Sequence, residues 1–248
     1  MTSDRAEKIW KDIWSKTCLD KVPEWDELAN VIFSFLNTIT PSFVGKNVLE
    51  AGSGTGRISL RLAQLKGARV VLIDVSRRIV KYSLGLARHN KISADFVVAS
   101  IFNLPIKSEC LDIVWSAGVL EHFSFVDQQG AISEFMRCLD KSGKSIVIVP
   151  NKGAFIYNWS RVLSMKLGNW PFGYEEPLSR NDMYKFHPTP RYVRSTGFFQ
   201  QFFIFSVPYV SVFLKCFLEI LHSVFGNGFY HIDRILPGYL LISTFVKG

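Results

Sequence analysis

The chain has little with which to build a metal or disulfide scaffold. Its four cysteines, Cys18, Cys110, Cys138 and Cys216, lie far apart and form no C-x-x-C pair. That excludes a zinc cluster and a disulfide framework, and it predicts free thiols in a reducing compartment. No G-x-x-x-x-G-K-[ST] segment is present, which argues against a nucleoside triphosphate held on a P-loop. A G-x-G-x-x-G dinucleotide loop is also missing. No apolar leader opens the sequence: MTSDRAEKIWKD is charged and amphipathic, which predicts a cytoplasmic location. There is no internal repeat and no low-complexity segment. Acidic residues are outnumbered, 21 against 29 basic ones, for a net charge of +8. The excess suits an anionic partner such as RNA or acidic lipid headgroups, or it is ordinary surface lysine, because the basic residues are scattered rather than clustered.

What is present is apolar and regularly ordered. With 248 residues the chain is long enough for one large domain. Hydrophobic residues make up 48% and phenylalanine alone accounts for 21 positions, so part of that surface is expected to face something other than water. Two amphipathic helices are predicted first. One covers residues 5–16, with Ile9, Trp10, Ile13 and Trp14 on one side; the other covers 24–38, between Pro23 and Pro41. Strands then read at 47–50, 69–74, 95–98, 111–116 and 145–150, with helices after the first, second and fourth. Short apolar runs alternating with helices predict a parallel sheet covered on both faces, with ligands at the carboxyl ends of its strands. From 151 to about 194 the alternation breaks into an aromatic and basic stretch that reads as an insertion or lid. Residues 197–207 are strand-like, and 239–246 read as a last strand.

The densest signal is Asn47-Val-Leu-Glu-Ala-Gly-Ser-Gly-Thr-Gly-Arg57. A buried strand runs into three alternate glycines, Gly52, Gly54 and Gly56, and a helix resumes at Arg57. Glu50 stands just before the glycines, where a carboxylate repels a pyrophosphate and suits a ligand with ammonium or sulfonium charge. The turn is built to approach a nucleoside-type ligand closely.

Four segments in order then carry a resemblance: Glu50-Ala-Gly-Ser-Gly-Thr-Gly56, Val71-Leu-Ile-Asp-Val-Ser76, Asn103-Leu-Pro105 and Asp112-Ile-Val-Trp-Ser-Ala-Gly-Val-Leu-Glu-His122. Together they resemble the class I S-adenosylmethionine-dependent methyltransferases, in the group that methylates small molecules, quinones and lipids. The resemblance covers roughly 44–150. It implies an α/β, Rossmann-like, seven-stranded and mostly parallel sheet in a single domain over 1–248, with a helical extension at 1–43, a cofactor core at 44–150 and an acceptor side at 151–248. It implies S-adenosylmethionine as cofactor, bound by Glu50, Ala51, Gly52, Ser53, Gly54, Gly56, Asp74 and Val75, with Glu50, Gly52 and Gly54 lining its methionine end and Asp74 accepting both ribose hydroxyls, since an acceptor-only carboxylate suits a diol. Ile101 would pack on the adenine. Ser100 stands where family members often carry an aspartate, and would make a weaker hydrogen bond there. Ser116, Ala117 and Gly118 would border the methyl group. Quinone-type relatives that bind a metal carry a further glutamate where this chain has Gly118, so no metal is expected. His122 is either a general base for an acidic hydroxyl or half of a Glu121–His122 pair that orders the loop.

The implied reaction is methyl transfer to a small hydrophobic acceptor, which needs positioning more than acid–base chemistry. Residues 209–225 (YVSVFLKCFLEILHSVF) carry a narrow polar stripe and a wide apolar face, fit for contact with a membrane surface, an acceptor, the core or a second subunit. The aromatic and basic residues of 151–194 would suit an acceptor pocket or single-stranded RNA. RNA methylation is disfavoured because the N-P-P-[FYW] tetrad is missing. A cofactor-binding partner subunit without turnover is the remaining alternative.

Overall fold

The computed structural model describes residues 3–19, 25–168, 170, 173–198 and 236–247. Helices α1 (Ser3–Lys16) and α2 (Glu27–Ile39) precede an alternating series. The series runs β1 (Asn47–Ala51), α3 (Arg57–Lys66), β2 (Arg69–Asp74), α4 (Arg77–His89), β3 (Asp95–Val98), β4 (Leu111–Ala117), α5 (Phe125–Cys138) and β5 (Leu139–Pro150). Then come α6 (Phe155–Lys166), a single turn α7 (Arg180–Met183), β6 (Tyr192–Thr196) and β7 (Leu240–Val246). The strands form one seven-stranded sheet in the order β3-β2-β1-β4-β5-β7-β6. Strands β1 to β5 are parallel, while β7 runs antiparallel to both β5 and β6. The order reverses between β2-β1 and β4, and a crevice at such a reversal is where ligands enter open α/β sheets.

Strand alternation sends neighbouring residues to opposite faces of the sheet. Leu49, Val114 and Val147 lie in one core layer, and Val48, Ile113, Trp115 and Ile146 in the other. Helix α5 covers the first layer with Ala131, Ile132 and Phe135, recurring at helical spacing. Helices α2 and α3 cover the second with Ala29, Ile32, Leu36, Ile58 and Leu62. A left-handed residue at Gly67 closes α3, its amide donating to Ala63 O.

Three sequence boundaries move. The second helix starts at Glu27 rather than at 24, because the Asp26 side chain accepts from Ala29 N at 2.8 Å and caps it. Strand β5 extends back to Leu139, pairing with Leu111 across a register shift in β4. A strand occupies 192–196, ahead of the stretch expected at 197–207: pairing with β7 ends at Thr196, where Gly197 turns the chain at φ +80°. Residues 199–207 and the apolar segment 209–225 lie outside the described residues. Among the described residues no helix is long and apolar enough to cross a membrane.

One helix supplies a contrast for stability. Phe135 is fully buried and Val126 is 78% exposed, both in α5. Phe135→Ala should cost about 3–5 kcal/mol, while Val126→Ala should stay within about 0.5 kcal/mol. Urea midpoints of the two variants check this.

Candidate active site

The turn after β1 is fixed by its backbone. Gly52 N and Ser53 N both donate to Ile73 O at 2.8 Å, and Gly56 N donates to Ser53 O at 2.8 Å. Two of the glycines are needed for conformation and for space at once. A Cβ on Gly52 (φ +72°) would sit 2.6 Å from Val119 Cγ2, and one on Gly56 (φ +67°) 2.5 Å from Leu72 Cδ1. Gly56 thus lets α3 seat against β2, and Gly52 lets the turn pass under the loop that follows β4.

Two carboxylates flank this turn. Asp74, at the tip of β2, accepts from Ser76 N through Oδ1 at 2.9 Å and from Gly54 N through Oδ2 at 3.0 Å. Burial raises its pKa and these hydrogen bonds oppose the rise. Each oxygen keeps acceptor capacity for a further donor. Glu50 is 7% exposed. The side chain and amide of Ser59 hydrogen-bond to it, and the Ser59 hydroxyl in turn accepts from Trp115 Nε1 at 3.0 Å. Glu50 Oε2 has no partner. Burial pushes the Glu50 pKa up to about 8, against the opposing Ser59 hydrogen bonds.

Both carboxylates line a cavity of about 270 Å³. Of the residues expected to hold the cofactor, Glu50, Gly52, Ser53, Gly54, Asp74, Val75 and Ile101 line it. A second lobe of about 170 Å³ shares Glu50, Ser53, Thr55, Arg57, Ala117 and Gly118 with the first. It continues along apolar side chains of Leu28, Ile32, Trp115, Val149 and Leu240 toward Tyr239.

The other expected residues take different positions. Ala51 is fully buried within the sheet, and Gly56 faces Leu72. The Ser100 hydroxyl accepts from Phe102 N at 3.2 Å, so it closes a turn instead of reaching the cavity. Ser116 is 1% exposed and points to the opposite face of β4 from Ala117, which does line the cavity. His122 lies behind the wall. Its Nδ1–H donates to Tyr174 O at 2.6 Å, and burial pulls its pKa down to about 4, so the ring is neutral near pH 7. Its contacts are those of a loop-ordering residue, with Nε2 3.9 Å from Glu121 Oε1. Among the described residues no group of three His, Cys, Asp or Glu is placed to hold a metal ion.

The roof comes from α1, which sequence reasoning left without a place at the site. Trp10 and Trp14 line the cavity, Trp14 lying 3.3 Å from where a Cβ on Gly54 would stand. Trp10 meets the His122 ring edge-on at 4.9 Å. Arg78 of α4 holds the helix down by donating to Trp14 O, Ser15 O and, at 3.1 Å, Thr17 O, carbonyls at the C-terminal end of α1. Phe123, Val119, Thr55 and Arg57 complete the wall. The apolar face of α1 was visible as periodicity; its partner was not.

Residues 48–143 match the model of a family described as a methyltransferase domain. An uncharacterised protein of Methanocaldococcus jannaschii is 28% identical over 154 residues, 59% of this chain and 63% of that protein. The ubiquinone biosynthesis O-methyltransferase of Pelagibacter ubique is 29% identical over 143 residues, 57% of this chain and 56% of that one. The chain thus spans less than two thirds of the length of either relative. Among solved structures, geranyl diphosphate C-methyltransferase from Streptomyces coelicolor, in complex with Mg2+, geranyl diphosphate and S-adenosyl-L-homocysteine, superposes with a TM-score of 0.66. That match covers 100% of both chains at 14% identity, a likeness of fold. The fold is that of the class I S-adenosylmethionine-dependent methyltransferases. Residues 48–143 of this chain match the methyltransferase domain, and S-adenosylmethionine is the cofactor such domains use.

The residues present fit that cofactor. Glu50 Oε2 is a buried acceptor with no donor of its own, and Asp74 keeps acceptor capacity beside the glycine turn. A carboxyl with a raised pKa favours its protonated form in the fold. Its contribution to stability is complete below the ordinary carboxyl range and is lost as pH climbs to about 8. A cationic ligand amino group reverses that preference and displaces the proton. Cofactor affinity should therefore rise between about pH 6 and about pH 8, with net proton release. Glu50→Gln should flatten the slope, weaken binding and raise the Tm of the ligand-free protein at the upper pH. Calorimetry in two buffers of different ionisation enthalpy, with a thermal scan, measures all three.

Proposed function

We propose that this protein transfers the methyl group of S-adenosylmethionine to a small hydrophobic acceptor. The observation that carries this reading is a second lobe that opens from the carboxylate-flanked cavity beside Glu50, Ala117 and Gly118 and runs on along the apolar side chains of Leu28, Ile32, Trp115, Val149 and Leu240. Two of the similar proteins bear names of small-molecule methyltransferases, one acting in ubiquinone biosynthesis and one on geranyl diphosphate. Both names agree with an apolar second lobe.

In this reading Glu50 accepts hydrogen bonds from the amino group at the methionine end, and Asp74 accepts from the ribose hydroxyls. Ile101 and Phe123 pack against the base. S-adenosylmethionine, when bound, supplies a sulfonium-borne methyl group open to in-line displacement. What the chain contributes is alignment and exclusion of water. Trp10 and Trp14 roof the cavity, and Gly118, lacking a side chain, leaves the junction of the lobes open. Among the described residues the cavity wall carries no histidine, lysine or cysteine to act as a general base for the transfer. That suits an acceptor whose nucleophilic atom needs no strong base.

Isothermal titration should show S-adenosylhomocysteine binding tighter than the millimolar range. Asp74→Ala should weaken it about ten- to a hundredfold, the loss of hydrogen bonds to a charged acceptor. Incubating the protein with methyl-labelled cofactor and fractionated cell extract then tests the acceptor. Label in the small, organic-extractable fraction is the expected result; label in RNA or protein overturns the acceptor class.

A further inference from the structure

Beside the lobe junction lies a second pair of carboxyls that the cofactor does not use. Glu121 follows β4, in the short turn Leu120–His122, and Glu175 lies between α6 and α7. One backbone and one side-chain hydrogen bond tie these two stretches together, and Arg161 of α6 adds a contact to the second. Glu176 N donates to Glu121 O at 2.9 Å, His122 Nδ1 to Tyr174 O at 2.6 Å, and Arg161 Nη1 to Glu175 O at 3.0 Å.

Glu121 is 2% exposed and Glu175 8%. Glu121 Oε2 and Glu175 Oε1 have no hydrogen-bond partner. Among the described residues no lysine or arginine pairs with either carboxyl; the Arg161 guanidinium goes to the Glu175 carbonyl instead. The histidine adds an independent observation. With its Nδ1–H committed to Tyr174 O, buried His122 presents a lone pair at Nε2, and the nearest ionisable atom is another acceptor, Glu121 Oε1 at 3.9 Å. Arg161 Nε is a buried donor without a partner beside the Glu175 backbone, but no donor among the described residues reaches Glu121 Oε2 or Glu175 Oε1. Burial and the charge of Glu175 raise the Glu121 pKa well above the ordinary range, and burial raises that of Glu175 to about 7. Tyr239 feels both carboxyls, and it also lines the apolar lobe. Glu121 Oε1 stands 3.8 Å from where a Cβ on Gly118 would begin, in the room that this glycine leaves at the junction.

Buried acceptors without donors are costly in a folded chain unless a ligand supplies the donors. We propose that Glu121 and Glu175 form the recognition end of the acceptor site and bind a protonated amine carried by the molecule to be methylated. An ammonium group brings both the N–H donors and the positive charge that the pair lacks, and its apolar remainder fits the adjoining lobe. The inference rests on the reading of the cavity as a methyltransferase site. It narrows the acceptor from hydrophobic to hydrophobic and cationic.

The test uses the full chain saturated with S-adenosylhomocysteine and matched primary amines, alcohols and carboxylic acids on propyl, octyl and phenethyl skeletons, titrated by calorimetry. On at least one skeleton the amine should bind about tenfold or more tighter than its alcohol, and the acid should bind weakest. Glu175→Gln and Glu121→Gln should each bring amine and alcohol to within about twofold, with affinity for S-adenosylhomocysteine unchanged as the control for folding. Alcohols binding as well as amines on all three skeletons, no amine binding into the millimolar range, or a preference that survives in whichever variant keeps its S-adenosylhomocysteine affinity would each overturn the assignment. Failure of the unmodified chain to bind S-adenosylhomocysteine would sink the methyltransferase reading itself; normal binding without an amine preference sinks only this inference.

Discussion

Three consecutive amides, those of Gly52, Ser53 and Gly54, all end on the last two residues of β2: the first two on Ile73 O and the third on the Asp74 carboxylate. This clamp fixes the end of β1 at the reversal of strand order, and the site is arranged around it. It holds Glu50 against the start of α3, where Ser59 can reach it. It also sets Asp74 beside the glycines and brings the turn under Trp14. Because the donors are backbone groups, the geometry depends on φ values that only a few residue types accept, and Gly52 and Gly56 sit where a side chain would also collide.

Three buried carboxyl oxygens without partners lie near the cavity. Glu50 Oε2, Glu121 Oε2 and Glu175 Oε1 lie at or behind the cavity wall, while the core layers are filled by Leu49, Ile73, Phe135, Trp115 and their neighbours. Elsewhere Trp115 Nε1 donates to the Ser59 hydroxyl, and Gln128 Nε2 donates to Leu120 O and Phe123 O. The unmatched carboxyls are a local cost in stability, placed where a ligand can offset it.

What was legible in the sequence follows from how each feature is encoded. Glu50, Gly52, Gly54 and Asp74 could be placed because a strand end and a tight turn restrict residues that are neighbours in the chain, and such restrictions leave short motifs. The sheet was legible for the same reason, through short apolar runs alternating with helices, and the shared family pattern supplied its strand count. Ser116 and Ala117 are neighbours in β4, and strand alternation puts Ala117 rather than Ser116 on the cavity side. The Ser100 hydroxyl can serve a ligand or its own turn, and only the fold shows it accepting from Phe102 N. Trp10, Trp14 and Glu175 could not be assigned at all. Each reaches the site through contacts between segments far apart in the chain, and for such contacts periodicity reports an apolar face without naming its partner.

The cofactor roof and the acceptor-side segment meet at one ring. His122 packs edge-on against Trp10 and donates through Nδ1 to Tyr174 O, so it touches α1 on one side and the strand of chain bearing Glu175 on the other. Burial holds it neutral across the physiological range. The donor at Nδ1 is present whether the ring is neutral or charged, so this joint does not depend on titration near pH 7. A general base needs a lone pair open to the acceptor and a pKa near the working pH; a joint needs a fixed donor and close packing. The environment of His122 meets the second description, and its effect on chemistry runs through what it holds in place: the indole that roofs the cofactor and the backbone that presents Glu175.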